Sequence, residues 1–522
     1  MTSSAIVPHP IEPIAALPSD AKLAAAFLSS LSEYGARLHG RRIWLACSGG
    51  RDSLALAALC VQLYHQGTLP FLPQLLHVDH RLQVDSQHWS MHVAQWAHKQ
   101  QLPCHILQAQ VNGHDEQAAR QARYDVMRAC MNQDDVLVLA HHADDQAETM
   151  LMRLIQGAGV NGLSGMQPWR VQTQAAHRIV LWRPWLTVQR ADISAYATRL
   201  QLPYIDDPTN DTGDNIRSGL RRDIMPVLAK YNPNVIDNMA RSAQLLSDAE
   251  ATVRAQAIQD VQHTAIVSLQ LSSAQRVIDI DKLIELPLHR QRQLLHHWLG
   301  QDEPLPPAKQ LIEDVLQLSQ RRDHDHQTEL FWQGRKQSYS IRRYRQQLYR
   351  LSGDWLKWLK MPLIEQTLDL GSERLSDPNP RRITLRSSKG FSWQLHVTPT
   401  VLAQSLDVIN TDETTRVKKV LKIAPLDRQQ RIQTRWSTRP QSGKKLYQTL
   451  GIPLWLRENL MVVSVVLEDE ASNDAMTSEP VKDIPILLLS PFERWHLNSA
   501  DSANPLTESL LSELVKSHLS SQ

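Results

Sequence analysis

The sequence predicts an α/β fold: a doubly wound parallel-sheet domain followed by a helical middle domain and a mixed, β-rich C-terminal domain. Three observations predict it. Short β-rich runs alternate with longer helical ones over the first half, apolar spacings of three and four then dominate, and strand-like runs separated by turn-sized gaps close the chain. The boundaries read as 1–222, 223–355 and 356–522.

In chain order, a helical lead spans Ala21–Leu38, and Ile43–Cys47, Leu72–Val78, Cys104–Gln110, Val136–His141 and Arg178–Leu181 read as strands with helical stretches between them. Strands separated by helices run parallel, and such sheets bind ligands beyond the carboxyl ends of their strands. The polar clusters Ser48–Ser53, His77–His80 and His141–Asp145 all fall at such ends. From Arg222 to about Gln320, "NMARSAQLLSDAEATVRAQAIQ" and "DKLIELPLHRQRQLLHHWL" carry helical apolar periodicity, and "TELFWQG", "QSYSIRRY" and "QQLYRL" end that region as strands. Beyond Met361 come "RRITLRSS", "FSWQLHVT", "MVVSVVLE" and "PILLLSPF". Between the last two, "EDEASNDAMTSEPVKD" has the polar composition of a mobile loop.

Composition excludes several classes. With 522 residues, 42% of them hydrophobic, the chain can bury several cores, which argues against a fibrous or wholly disordered protein. Cys47, Cys60, Cys104 and Cys130 form no CxxC pair and no zinc spacing, so they read as reduced core thiols of a cytoplasmic protein. Met1–Asp20 is Pro-rich, without a basic stretch leading into an apolar one, and no run of about 18 apolar residues occurs, so no membrane partner is expected. The net charge of +2 says little about the whole, and charge has to be read by segment.

The densest chemistry is Ser48-Gly49-Gly50-Arg51-Asp52-Ser53, between a strand and a helix. A helix N-terminus approached through glycines presents backbone N–H groups that suit phosphate oxygens. Without GxxxxGK[ST] this is not a Walker loop, and without GxGxxG a dinucleotide fold is disfavoured. An aspartate in a phosphate nest calls for a cation, so Asp52 points to a Mg²⁺-bound pyrophosphate. The same six residues also suit a tight turn with Asp52 as helix cap.

Other clusters carry paired readings too. In "HHADDQAET", Asp144 and Asp145 precede Glu148 by four and three residues, so on a helix the carboxylates share a face and repel unless a cation sits among them. Solvated acids favouring the helix dipole are the alternative. Asp79, in "HVDH", suits contact with nucleotide or metal, or a strand-end turn. Arg120 and Arg123, three apart in "AARQARY", suit phosphate binding or surface salt bridges. Between Arg416 and Leu450, ten basic residues that include Arg435, Arg439, Lys444 and Lys445 face a lone Asp427, a stripe suited to a phosphate backbone or to solvent. Trp436, Tyr447 and Trp455 are interleaved with it for base stacking, though Trp455 in "IPLWL" reads better as core.

The SGGxDS loop resembles that of the PP-loop ATP pyrophosphatases, which cleave ATP between the α and β phosphates. With "HVDH", "EQAARQARY", "AHHADDQAETMLMRLIQGAGVNGLSGM", "RPWL", "DDPTN" and, far downstream, "GKKLYQTLGIPLWLRE", the order resembles the tRNA(Ile)-lysidine synthetase family over nearly the whole chain. That resemblance implies ATP and Mg²⁺, free L-lysine, and the isoleucine tRNA with a CAU anticodon, whose wobble cytidine is adenylated and then converted to lysidine. It implies ATP binding at Ser48, Gly49, Gly50, Arg51, Asp52 and Ser53, with Asp52 on the metal. Catalytic roles fall to Asp52, Asp79, Arg120 and Arg123, and lysine binding to Asp144, Asp145 and Glu148. Arg217, Arg221, Arg435, Arg439, Lys444 and Lys445 would bind tRNA, Arg183 and Asn210 would close over the site, and a homodimer is a candidate assembly. The chain departs from the family at Gln83, where arginine is expected, and at Ser218, where asparagine is expected. Rival readings are a thiolation enzyme, disfavoured by the missing CxxC, an amidotransferase, which needs a glutaminase site, and a nucleotide-sensing RNA-binding protein without catalysis.

Overall fold

The computed structural model describes residues 13–79, 86–110, 116–174, 177–205, 216–321, 328–369, 381–386, 392–397, 417–469 and 482–497. His80, the departure at Gln83, the "DDPTN" motif with Asn210, Arg416 and most of the polar segment 468–483 lie outside these residues. The chain forms two compact units, 1–253 and 254–522.

The first unit is built on a six-stranded sheet in the order β3-β2-β1-β4-β6-β5. β1 (Ile43–Ala46) pairs in parallel with β2 (Gln74–Asp79) and β4 (Val136–Val138), β2 with β3 (Cys104–Gln108), and β4 with β6 (His177–Trp182). β5 (Trp169–Gln174) is an antiparallel edge strand on β6. Reading Arg178–Leu181 as an isolated strand misses β5, whose polar residues fit an edge while Trp169, Val171 and Thr173 keep the alternation of period two. The helices are α1 (Ala21–Leu38), α2 (Arg51–His65), α3 (Ser86–Lys99), α4 (Glu116–Cys130), α5 (Ala143–Ile155), the single turn α6 (Val160–Leu163) and α7 (Arg190–Arg199).

Alternate residues of each strand feed opposite cores, as a doubly wound sheet requires. Leu45, Val136, Val138 and Val180 pack with α1, α2 and α7, while Trp44, Leu76, Leu137 and Leu181 pack with Met127 of α4. α2 is buried almost all round from Ser53 to Leu63, which explains its alanine-rich, apolar sequence. All four cysteines are free, and Cys47 and Cys60 are buried. The strand order reverses at β1 and β4, so the loops leaving these two neighbours splay apart and open a crevice. The chain returns through α8 (Ile216–Gly219), a π-turn over Leu220–Ile224 and α9 (Met225–Tyr231), then continues in α10 (Val235–Thr264).

In the second unit α11 (Ile280–Glu285), α12 (Leu288–Gly300) and α13 (Lys309–Gln320) pack on an antiparallel sheet in the order β7-β10-β9-β8. Its strands are β7 (Gln275–Asp279), β8 (Glu329–Gln333), β9 (Ser338–Tyr344) and β10 (Gln347–Ser352). The five-residue β7 interrupts the helical region the sequence predicts and is too short to display a period of its own. A second antiparallel sheet joins Gln366–Asp369, Val417–Pro425, Met461–Asp469, Lys482–Leu489 and Arg494–His496. One apolar core holds Val277, Tyr349 and Trp355 together with Leu446, Leu456, Val462 and Leu488, so a boundary at 355/356 divides residues of a single cluster.

Candidate active site

β1 delivers the chain into Ser48-Gly49-Gly50 and then α2. Gly49 adopts φ +84°, and a Cβ there would come within 2.9 Å of Val93 Cγ2, so only glycine suits the position. Ser48 Oγ accepts from the Gly50 amide at 3.2 Å and lies 3.2 Å from Ser53 Oγ, while Ser53 donates to the Gly50 carbonyl at 3.0 Å. The residue capping α2 is Gly50, which has no side chain to offer the first-turn amides. Asp52 is therefore not the helix cap, and a helix start without a side-chain cap suits an external acceptor such as phosphate. Oδ1 of Asp52 is buried without a hydrogen-bond partner.

Across the crevice, the chain leaving β4 reaches His142, the N-cap of α5. Its backbone N–H donates to Asp145 Oδ2 at 3.2 Å, and its Nδ1 accepts from the Asp145 amide at 3.4 Å. Three carboxylates converge on the ring: Asp52 Oδ2 at 3.6 Å and Asp145 Oδ2 at 3.5 Å from Nε2, and Asp144 Oδ2 at 3.5 Å from Nδ1. Burial alone would lower its pKa, but the bonds from Asp144 and Asp52 and the charge of Asp145 raise it to about 10. A ring protonated at both nitrogens cannot accept from the Asp145 amide, so charge and cap are alternatives. The three carboxylates favour the charge.

The carboxylates of "HHADDQAET" thus lie at the start of one helix, and the chain supplies cations among them. Glu148 is 1% exposed and accepts from Arg221 Nε and Nη2 at 2.7 and 3.1 Å. Burial pushes its carboxyl up and the Arg221 guanidinium pulls it back. Asp144 accepts from the Arg190 amide at 2.8 Å, and Arg217 Nη2 donates to Thr149 Oγ1 at 3.2 Å. Arg217 and Arg221, expected on RNA, lie against α5 in the chain alone, the latter from the π-turn, a feature frequent at functional sites. Ser218, between them, is buried.

Further cations gather at the same sheet edge. Asp79 ends β2 in a buried position, and His77 there bonds through Nδ1 to the Cys47 carbonyl at 2.9 Å. Burial lowers the His77 pKa; the Cys47 bond and Asp79 oppose this, and Arg123 of α4 adds to it. Arg120 is exposed, with its guanidinium 5.4 Å from the Tyr124 ring centre. Arg183 is 5% exposed, is pushed down to about 10 by burial, and keeps a buried, unpartnered Nε. His141 is held neutral, at about 3, first by burial and then by the Arg183, Arg120 and Arg217 charges, with Asp145 opposing. Its Nδ1 is likewise buried and unpartnered. Sequence reasoning did not assign His141 and His142 roles, although the doubled histidine before two aspartates was the available signal.

Among the described residues no group of three or more His, Cys, Asp or Glu forms a ready metal cage. Mg²⁺ does not need one, since it is commonly held by one or two carboxylates and by substrate phosphates. The unpartnered Oδ1 of Asp52 beside the loop fits that mode.

In the second unit, Arg428, Arg431, Arg439, Lys444 and Lys445 are exposed and make no ion pair among the described residues. Arg435 is exposed too, 5.7 Å from the Trp436 ring centre, while Lys422 pairs with Glu365 at 3.0 Å. Tyr447 is not available for base stacking: it is 3% exposed and donates its hydroxyl to the Leu426 carbonyl at 3.2 Å. Trp455 packs edge-on against Tyr349 with ring centres 4.9 Å apart, which favours its core reading.

A glycine-rich loop and an acidic helix start, facing each other where a parallel sheet reverses its order, define the class of PP-loop ATP-using enzymes, and residues 21–228 match the PP-loop domain family. Residues 278–349 match the TilS substrate binding domain. A tRNA(Ile)-lysidine synthase of Psychrobacter sp. (strain PRwf-1) is 38% identical over 92% of this chain and 95% of its own length. That of Pseudomonas aeruginosa is 36% identical over 60% of this chain and 69% of its own length. The chain belongs to the tRNA(Ile)-lysidine synthase family, PP-loop ligases that use ATP. Among solved structures, the U34-tRNA thiolase NcsA from Methanococcus maripaludis aligns with a TM-score of 0.35 at 16% identity, over 44% of this chain and 78% of its own. No helix among the described residues is long and apolar enough to cross a membrane.

Proposed function

We propose that this chain joins L-lysine to C2 of the wobble cytidine in the isoleucine tRNA with a CAU anticodon. The cytidine O2 attacks the α-phosphorus of ATP and pyrophosphate leaves. The lysine ε-amine, once deprotonated, then attacks C2, and the C2–O bond breaks to release AMP. The observation that carries this reading is the approach of Asp52, on the loop side, to His142, at the acidic helix start, 3.6 Å apart across the strand-order reversal.

Each group then has a task. The amides and hydroxyls of Ser48, Gly49, Gly50, Arg51 and Ser53 hold the pyrophosphate, and Arg120 and Arg123 offset phosphate charge from α4. Mg²⁺, held by Asp52, would neutralise the charge of the leaving pyrophosphate. Asp79 orients the nucleotide from the end of β2. Asp144 and Asp145 receive the lysine ammonium groups, and Glu148 contributes through its bidentate hold on Arg221. Arg217 and Arg221 meet the anticodon nucleotides, while Arg435, Arg439, Lys444 and Lys445 hold tRNA phosphates. We assign the chemistry to residues 1–222, support to 223–355 and the tRNA grip to 356–522, in a cytoplasmic enzyme whose pairing as a homodimer sedimentation would test.

The direct test combines purified protein, Mg-ATP, labelled lysine and unmodified CAU-anticodon isoleucine tRNA. Label should enter RNA with one AMP and one pyrophosphate for each lysine. Pyrophosphate release without label would leave an adenylating enzyme with a different nucleophile, and no release at all would leave the nucleotide sensor.

A further inference from the structure

The segment Pro203–Ile205 lies against the pyrophosphate loop and belongs to none of the assigned site residues. The Ile205 amide donates to the Gly49 carbonyl at 2.9 Å. His92 Nε2 of α3 bonds to the Pro203 carbonyl at 2.5 Å, and Val93 of the same helix approaches Gly49. Between these contacts Tyr204 presents its ring to Arg51, whose guanidinium carbon stands 4.8 Å from the ring centre. Arg51 Nη1 also donates to Ser194 Oγ of α7 at 3.0 Å.

We propose that Tyr204 is a positioning residue for ATP, acting through Arg51 and the loop peptide on the bound triphosphate. The proposal deepens the ATP-dependent reading above and rests on it. Two physical effects support it. The Gly49 carbonyl and the Gly50 N–H belong to one planar peptide and point in opposite directions, so tying the carbonyl to Ile205 fixes that N–H on Ser48 Oγ, 3.2 Å away, and with it the Ser48 hydroxyl. An arginine side chain carries large rotamer entropy, and one already stacked on a ring and bonded to a serine has lost most of it before the anion arrives. Both effects lower the ordering cost of ATP binding. Neither touches lysine or the chemical step, so the consequence is confined to nucleotide affinity.

The test compares wild type, Tyr204→Phe and Tyr204→Leu by equilibrium Mg-ATP binding without tRNA, then by steady-state kinetics with ATP and lysine varied in turn. Loss of a partly desolvated cation–π contact should weaken ATP binding and raise the ATP KM of Tyr204→Leu by about five- to thirtyfold. Its kcat at saturating ATP and its lysine KM should stay at the wild-type values. Tyr204→Phe keeps the ring and should restore wild-type ATP affinity, a rescue that loss of packing volume alone does not predict. If Tyr204→Leu loses its cooperative melting transition, Tyr204→Met gives the same readout with a flexible apolar side chain. Wild-type ATP affinity in the ringless variants, or equal losses in Phe and Leu, would overturn the proposal. Failure of the wild type to bind ATP would instead overturn the reading beneath it.

Discussion

Two clusters, one in each unit, set their cationic side chains to opposite uses. In the first, Arg221 and His142 are turned inward onto Glu148, Asp52, Asp144 and Asp145, so two cations offset part of the repulsion among four carboxylates and leave the cluster net negative. In the second, Arg439, Lys444 and Lys445 stand in solvent with no ion-pair partner among the described residues. The difference teaches what each surface awaits. A partly compensated cluster with a few unpartnered atoms, such as Asp52 Oδ1 and Arg183 Nε, suits a small, defined ligand. Unpaired exposed cations suit a long polyanion whose exact seating matters less.

The comparison breaks most severely at Asp52. If Asp52 holds Mg²⁺ as proposed, Asp52→Ala should reduce tRNA-dependent pyrophosphate release by about a thousandfold, since losing a metal ligand removes roughly 4 kcal/mol of charge stabilisation. The melting temperature should fall only slightly, because Oδ1 makes no hydrogen bond in the fold and Oδ2 is one of three carboxylates around His142. Ordinary pyrophosphate release from this variant would remove the metal role.

At Arg221 the expected effect is on stability. Arg221→Ala strands the buried Glu148 carboxylate and should cost the first unit about 3 kcal/mol, measured by denaturant unfolding. Adding Glu148→Gln should recover most of that loss, since an amide is far cheaper to bury than an unpaired charge. Without recovery, the pair is not what stabilises α5.

How much of this was legible in the sequence follows from the range of the interactions. The parallel strands were legible because apolar, β-branched runs report local burial, and the loop was legible because its glycines, serines and aspartate are contiguous. The spacing of Asp144, Asp145 and Glu148 gave the helix face but not its occupant, which came from Arg221, far along the chain. His142 was legible only in part: Asp144 and Asp145 stand beside it in the sequence, whereas Asp52, in the first turn of α2, does not. Tyr447 misled because basic neighbours suggested exposure, whereas the helix Gly443–Thr449 turns Leu446 and Tyr447 inward and leaves Lys444 and Lys445 outside. Tyr204 carried no local signal at all, since its partner is in the loop.

Asp144 provides a subtler break. It is held charged, although burial opposes this, by His142 and the Arg190 amide, so Asp144→Asn removes charge at neutral pH with little change in size. A lost charge-assisted bond of about 1.5 to 3 kcal/mol should appear mainly as a raised lysine KM, with adenylated tRNA accumulating. Following α-labelled ATP on RNA beside lysine incorporation separates the two half-reactions. Equal loss in both would move Asp144 to the nucleotide or metal.

The smallest expected effect tests the other side of the comparison. If Arg439, Lys444 and Lys445 each neutralise a tRNA phosphate, each should release counterions on binding, and the slope of log K against log salt should fall by about 0.7 to 0.9 per residue removed. The triple alanine variant should therefore bind tRNA with a slope shallower by roughly 2 to 2.7, while ATP affinity stays unchanged. Lys357→Ala is the matching control, because Lys357 is also exposed but pairs with Asp354, three residues earlier in the helix Gly353–Leu359, at 3.2 Å. A cation already neutralised by a neighbour has fewer counterions to release, so its loss should leave the slope nearly as it was. Unchanged slopes in both variants would make the unpaired cations a solvated surface. Equal changes in both would mean that position on the second unit, and not the lack of a partner, decides which cations meet RNA.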